Sequence, residues 1–76
     1  MGLLSEELYD KALDSLEKAV SLTPNDPTIT EHLGDVYFKK REYGKALEMY
    51  QKALSLNHPN AEMIKAKMEK VKAILE

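Results

Sequence analysis

The residues best able to carry out chemistry in this chain are two histidines and the acids beside one of them. His32 lies next to Glu31 and one helical turn before Asp35, so an imidazole and carboxylates that could exchange a proton would share a helix. His58 is in a separate segment, and the chain has no cysteine to serve as a nucleophile. A solvated surface histidine is the better interpretation of His32, and we expect no enzymatic activity.

Metal and cofactor motifs are equally absent from the sequence. The acids and histidines do not recur at the spacing that a metal site needs. The three glycines, Gly2, Gly34 and Gly44, are too scattered to form a phosphate-binding loop. We therefore expect no metal and no cofactor.

Charge and hydropathy limit the possible partners. The C-terminal segment is rich in lysine, but Glu62, Glu69 and Glu76 are interleaved with the lysines and the net charge of the chain is −2. These features favour a solvated face over a nucleic-acid site. No apolar run approaches the roughly 20 residues of a membrane span, and residues 1–4 are too short for a secretion signal. We expect a cytoplasmic protein that binds neither nucleic acid nor membranes.

Apolar side chains recur along the chain at spacings of three and four residues, which predicts amphipathic helices. The histidines, acids and lysines named above must therefore be positioned by helices. Four helices are predicted, over residues 5–22, 28–40, 43–56 and 61–75. Ser5 is placed to cap the first helix and Asp26 to cap the second, and the short connections predict antiparallel neighbours. A chain of 76 residues buries only about 60% of the surface that its unfolded state exposes, so association would help to stabilise it.

An internal repeat organises the helices. When the sequence is aligned with itself at an offset of 34 residues, Tyr9 falls on Tyr43, and the Lys-Ala-Leu segment at 11–13 falls on the same segment at 45–47. Small residues fall on the inward faces, where they let helix backbones approach closely: Ala12, Ala19, Gly34, Ala46 and Ala53. A fixed period of this size indicates a stack of identical helical units.

The repeated pattern resembles the tetratricopeptide repeat, a helix-turn-helix unit of about 34 residues. Its first-helix pattern is matched, with threonine in place of tryptophan, by Thr30, Leu33, Gly34 and Tyr37. Its second-helix pattern is matched by Ala46, Tyr50 and Ala53, and again by Ala12, Leu16 and Ala19. The closing proline of the unit is present as Pro24, whereas His58 occupies that place in the second copy.

The resemblance implies an all-α fold, an antiparallel helix-turn-helix stack in a single domain of residues 1–76. Residues 5–22 would be the second helix of a partial repeat, 27–60 a complete repeat, and 61–75 a C-terminal capping helix. The polar outward face of that cap would consist of Lys65, Lys67, Glu69, Lys70 and Lys72.

The resemblance also implies a function. In this family the first helices of the units line a concave groove that receives an extended peptide, so the chain would be a non-enzymatic protein–protein interaction or scaffolding module, the C-terminal part of a longer array. The groove residues carried over to this chain are Thr28, Glu31, Asp35, Phe38, Lys39, Lys65, Glu69 and Lys72. The acids on the first of these helices would favour a basic or mixed peptide. So short a stack barely offers the roughly 800 Å² per partner of a standard interface, which favours the alternative that the isolated chain binds nothing.

Two departures from the repeat favour self-association as the alternative function. The first helix lacks its covering mate, so an apolar face that carries Leu8, Ala12, Leu16 and Ala19 would be open and would drive formation of a homo-oligomer. Arg41 stands where the family has glycine, in the turn over residues 39–43. The turn either tolerates arginine or straightens into one long helix, in which case two chains would exchange halves as a domain-swapped dimer.

Overall fold

The computed structural model describes residues 2–76, with side chains from residue 7 onward, and the described part is all-α. Its helices are α1 (Gly2–Leu22), α2 (Pro27–Lys39), α3 (Tyr43–Ser55) and α4 (Ala61–Leu75). Each helix packs on the next, and connections of three to five residues make neighbouring helices antiparallel. The resulting slab measures 36 × 34 × 16 Å. The predicted helix-turn-helix stack is confirmed.

The start of α2 is fixed by its N-cap. Asp26 has extended backbone angles, and its Oδ1 accepts hydrogen bonds from the backbone N–H groups of Thr28 at 2.8 Å and Ile29 at 3.1 Å. Pro27 takes the first helical position, where no N–H group is needed. The buried Thr30 hydroxyl donates to the Asp26 carbonyl oxygen at 2.9 Å. The predicted cap at Asp26 is confirmed.

The turn between α2 and α3 is closed around Arg41, which adopts φ = 65°. The Arg41 N–H donates to the Phe38 carbonyl at 3.0 Å, and the Glu42 N–H donates to the Tyr37 carbonyl at 2.9 Å. These two bonds form a Schellman motif. Arginine therefore takes the left-handed conformation that glycine adopts without strain, at a cost of roughly 1–2 kcal/mol. Of the two alternatives for residues 39–43, the structure has the turn that tolerates arginine.

The core lies between α3 and α4, with α2 covering one side. Its buried apolar side chains are Leu33, Ala46, Tyr50, Ala53, Ile64, Met68 and Val71. A Cβ atom added at Gly34 would lie 2.6 Å from Cε1 of Tyr50, well inside the roughly 3.5–4.0 Å at which carbon atoms pack. The α2–α3 pair therefore approaches this closely because residue 34 has no side chain.

Helix α1 is longer than predicted and less enclosed than the others. It begins at Gly2, so Ser5 lies inside the helix and not at its N-cap. The prediction of a cap at Ser5 was wrong because Leu3 and Leu4, which precede it, are good helix formers. Helix α1 packs mainly on α2, where the Lys40 ammonium forms an ion pair with the Asp10 carboxylate. None of the described helices is long and apolar enough to cross a lipid bilayer.

Candidate functional site

The eight residues that the sequence assigns to peptide binding lie on α2 and α4. Thr28, Lys39, Lys65, Glu69 and Lys72 are exposed. Helical spacing places Lys65, Glu69 and Lys72 on the side of α4 opposite to Lys67, whose side chain reaches α2. The surface where α2 and α4 meet, formed by Glu31, Asp35, Phe38, Lys67 and Lys70, is here called the α2–α4 face. Asp35 and Phe38 are half-buried, whereas Glu31 is buried with 6% of its surface exposed. Because Glu31 cannot reach solvent, it shapes this face from beneath and does not present a charge to a ligand.

Glu31 is held by two partners from different parts of the chain. Its Oε1 lies 2.7 Å from Nε2 of His58, and its Oε2 accepts a hydrogen bond from the Lys67 ammonium at 2.7 Å. The side chains of Glu31 and His58 are 7% and 5% exposed. Burial raises the pKa of Glu31, but the hydrogen bonds from Lys67 and His58 outweigh burial and leave the pKa below its usual value. Glu31 is therefore an ionised carboxylate in a nearly enclosed site.

The ring of His58 has a defined orientation. The backbone N–H of Asn60 donates to its Nδ1 at 2.9 Å, so Nδ1 carries no proton. Nε2 must then carry the ring proton, which it donates to Glu31. Asn60 is the N-cap residue of α4 and makes no side-chain cap. The imidazole consequently ties the start of α4 to the side of α2.

Asp35 extends the same network toward the surface. Its Oδ1 and Oδ2 accept from the Lys67 ammonium at 3.0 and 3.2 Å, and Oδ1 also accepts from the Tyr50 hydroxyl at 2.5 Å. Burial and the hydrogen bond to Asp35 raise the pKa of Tyr50. Burial lowers the pKa of Lys67, but its bonds to Glu31 and Asp35 outweigh burial and raise it. The Lys67 ammonium is thus directed to carboxylate oxygens of α2.

A pocket of about 150 Å³ opens on the α2–α4 face above this network. It is lined by Asp35, Phe38, Tyr50, Lys67 and Lys70. The Lys70 ammonium lies 5.7 Å from the centroid of the Phe38 ring, and the Lys67 ammonium lies 5.8 Å from the centroid of the Tyr50 ring, which are cation–π distances. The pocket therefore has aromatic walls and cationic edges.

Sequence reasoning missed part of this site. It placed Lys67 on the polar outward face of α4, but the Lys67 side chain turns to α2 because two carboxylates of α2 are within its reach. It also gave no role to His58. A pattern in the sequence pointed to both residues: Lys67 stands where the repeat has Leu33, and His58 stands where it has Pro24. Two polar residues at apolar pattern positions indicate a shared buried partner, which is Glu31.

The arrangement holds α2, α4 and the loop before α4 in a fixed relation. Glu31 and His58 are nearly enclosed, and both carboxylate oxygens and both ring nitrogens already have hydrogen-bond partners within the chain. His32 is exposed, as the surface interpretation predicted. In the part of the chain with described side chains, no group of three or more histidines and acids is placed to hold a metal ion.

Four of the five residues assigned to self-association lie on α1, at the opposite end of the stack from α4. Leu8 is 65% exposed, and Leu22, at the other end of α1, is 76% exposed. Ala12, Leu16 and Ala19 are partly covered. Arg41 is exposed in the closed turn. The first helix thus presents apolar side chains to solvent, as the missing mate predicted.

Comparison with known proteins agrees with the repeat pattern. A family profile described as YpiA-like, tetratricopeptide repeats, matches residues 5–58, which is most of the chain. The tetratricopeptide repeat domain-containing protein PYG7, chloroplastic, of Arabidopsis thaliana is 34% identical over 72 residues, covering 95% of this chain and 24% of that protein.

Two further relatives are less completely matched. Protein O-mannosyl-transferase TMTC1 of Homo sapiens is 36% identical over 61 residues, covering 75% of this chain and 7% of that protein. The general transcriptional corepressor CYC8 of Saccharomyces cerevisiae is 36% identical over 56 residues, covering 71% of this chain and 6% of that protein. The chain therefore spans about a quarter or less of the length of these relatives.

The fixed repeat period, the pattern residues in register and the family profile lead to one assignment. Repeats of this kind are typically non-enzymatic and bind proteins or peptides. The transferase among the relatives does not alter this, because this chain matches so small a part of it. The chain belongs to the tetratricopeptide repeat family.

Proposed function

We propose that this chain is a non-enzymatic interaction module that binds an extended segment of a partner protein along the α2–α4 face. The observation that carries the proposal is the pocket between Phe38 and Lys70, in which the Phe38 ring remains half-exposed although it packs against the core. Pockets with apolar walls and a few placed polar groups are the usual form of a binding site. A protein partner, and not nucleic acid or a membrane, is the expectation.

The ion network supports this proposal because it makes the pocket rigid before a ligand arrives. Lys67 bridges α2 and α4 through Glu31 and Asp35, and Asp35 also fixes the Tyr50 hydroxyl. A wall that is already ordered loses little conformational freedom on binding, so more of the contact energy is available as affinity.

The test is selection of decapeptides from a displayed random library against the full chain, followed by titration of the ¹⁵N-labelled chain with the selected peptides. We expect the shifted amides to lie in α2 and α4. Phe38→Leu should weaken binding, whereas Leu22→Ala, which also trims a large apolar side chain but lies on α1, should not. Shifts confined to α1, or equal effects of the two variants, would contradict the proposed site.

We also propose that these repeats work as the C-terminal part of a longer array. The much greater length of the relatives supports this, as does the row of charged, exposed residues on the outer side of α4: Lys65, Glu69 and Lys72. Placement in the cytoplasm stays a prediction that a tagged full-length protein would test in cells.

Self-association through α1 is the second candidate function, and exposed Leu8 and Leu22 favour it. Sedimentation equilibrium should then show a dimer or larger species that Leu8→Glu dissociates. Leu75→Glu, which places the same charge on a leucine of α4 that is 53% exposed, should leave the mass unchanged. A wild-type chain that stays monomeric at millimolar concentration would exclude this function. The closed turn at Arg41 gives no support to a domain-swapped form.

A further inference from the structure

The pocket on the α2–α4 face has a charge opposite to that of the whole chain. Two lysines, Lys67 and Lys70, and one acid, Asp35, line it. The lining is thus net positive, although the chain carries −2. Such an asymmetry concentrates anionic partners at one surface.

The acids of this face are largely occupied by the protein itself. Both oxygens of Glu31 are bonded, and this side chain is 7% exposed. Both oxygens of Asp35 accept from Lys67, and one also accepts from Tyr50. A basic ligand would therefore compete with Lys67 for carboxylates that are already paired, and would lose much of the expected attraction.

Lys70 is the less committed of the two pocket lysines. Within residues 7–76 it has no carboxylate within 4.0 Å, whereas Lys67 is held by Glu31 and Asp35. The Lys70 ammonium lies beside the Phe38 ring at the edge of the pocket. An ammonium with unfilled donor positions at the edge of an aromatic pocket is a receptor for a carboxylate.

We propose that the α2–α4 face selects acidic segments, with one Asp or Glu side chain of the partner entering the pocket. Its methylene groups pack on Phe38 and its carboxylate binds the Lys70 ammonium. A pocket of about 150 Å³ is roughly of the size that holds one benzene ring, which suits a single side chain. This inference rests on the proposed function, and it differs from the basic or mixed peptide expected when Glu31 and Asp35 are taken as unpaired.

A protein segment fits this face better than a nucleic acid does. A duplex or single strand would bring its phosphates against the rest of the chain, which is acidic because the whole carries −2 despite the positive pocket lining. An extended peptide contacts only the α2–α4 face, so the charge of the pocket acts on it most strongly.

The test compares, on the full chain, pairs of peptides that match in shape and differ in charge. Each decapeptide that the random library selects is labelled with fluorescein and paired with a copy in which Asn and Gln replace Asp and Glu. We expect selected peptides to be enriched in acids, and the amide copies to bind about 10-fold more weakly. Lys70→Gln should weaken binding of the acidic peptides about 5-fold. Lys52→Gln on α3 makes the same charge change away from the face and should have no effect.

The possible results separate the preference for acidic segments from the proposed function on which it rests. Selected peptides that are neutral or basic, or equal binding by Lys70→Gln and Lys52→Gln, would overturn the acidic preference and leave the proposed function in place. A library that yields no binding peptide of any charge would overturn both. Lys70→Arg keeps the positive charge and should retain affinity, which separates loss of charge from loss of folding.

Discussion

Helices α1 and α3 carry one sequence pattern, but only α3 is enclosed by the fold. The pattern residues of α3 are 0% to 2% exposed: Ala46, Tyr50 and Ala53. Their counterparts one repeat earlier in the sequence are partly exposed: Ala12, Leu16 and Ala19. Helix α3 lies between α2 and α4, whereas α1 packs mainly on α2. In a stack of this kind, burial is decided by the neighbours of a helix and not by its own sequence.

The same comparison applies to the backbone. Arg41 has a left-handed conformation at the turn before α3, whereas Glu7, at the equivalent place, continues the α1 helix. Neither residue favours a turn by itself, since both are good helix formers. The reversal at Arg41 is therefore imposed by the packing of α2 against α3.

The largest expected difference comes from truncating the pattern residue at the centre of each helix. Tyr50→Ala removes a buried ring and should cost about 3–5 kcal/mol, which would leave much of so small a domain unfolded. Leu16→Ala trims a half-covered side chain and should cost about 1–2 kcal/mol. Urea denaturation followed by circular dichroism measures both. Equal losses would mean that α1 is as enclosed as α3.

The next-largest loss of stability should come from breaking the polar network around Glu31, which has no counterpart among the described side chains of α1. Glu31→Gln removes one of the two carboxylates that hold the Lys67 ammonium and puts a neutral amide in a nearly enclosed site, and we expect a loss of about 2 kcal/mol. Glu48→Gln is the control, since Glu48 is exposed on α3 and its replacement should stay within about 0.5 kcal/mol. Similar stabilities for the two variants would show that the network only shapes the surface.

The network should also give the stability a defined dependence on pH. The pKa of Glu31 is lowered from its ordinary value of 4.5, so the unfolded chain binds the proton more readily. The stabilisation is complete above pH 4.5 and decreases as the pH falls toward the folded pKa. Wild type should therefore converge on Glu31→Gln in acid when both are followed by urea denaturation. A difference between them that does not change with pH would argue against an ionised Glu31.

Close packing of α2 on α3 should make Gly34 intolerant of a methyl group. Gly34→Ala should cost about 1–2 kcal/mol, because the clash with the Tyr50 ring exceeds the gain in helix propensity. Tyr50→Leu makes α3 resemble α1, which has Leu16 at this place. In that background the alanine should be accepted, with a coupling of about 1 kcal/mol in a double-mutant cycle. Additive effects would show that the ring does not set the helix separation.

The smallest effect on stability should come from placing glycine at Arg41 and at its counterpart Glu7, with opposite signs at the two positions. Arg41→Gly relieves the left-handed conformation and should stabilise the chain by about 0.5–1 kcal/mol. Glu7→Gly places glycine within a helix and should destabilise it by about 0.5–1 kcal/mol. Thermal unfolding of the two variants checks the signs. A gain from glycine at both places would mean that α1 also bends there.

The sequence predicted what local rules decide. Asp26, Pro27 and Gly34 were placed correctly because capping, proline geometry and close helix packing depend on a few neighbouring residues or on the repeat itself. The direction of Lys67 was predicted wrongly, because its flexible stem reaches either solvent or α2. The choice depends on the distance between α2 and α4, which only the assembled stack determines.

The imidazole of His58 influences how the helices are arranged. One ring nitrogen receives the backbone N–H at the entry to α4, and the other donates to Glu31 on α2. A flipped ring would present carbon atoms at both places, so rotation of the side chain is blocked. The angle at which α4 leaves the loop is thereby set by a single aromatic ring. The same angle sets how far α4 stands from α2, and therefore how wide the opening is for a ligand between them.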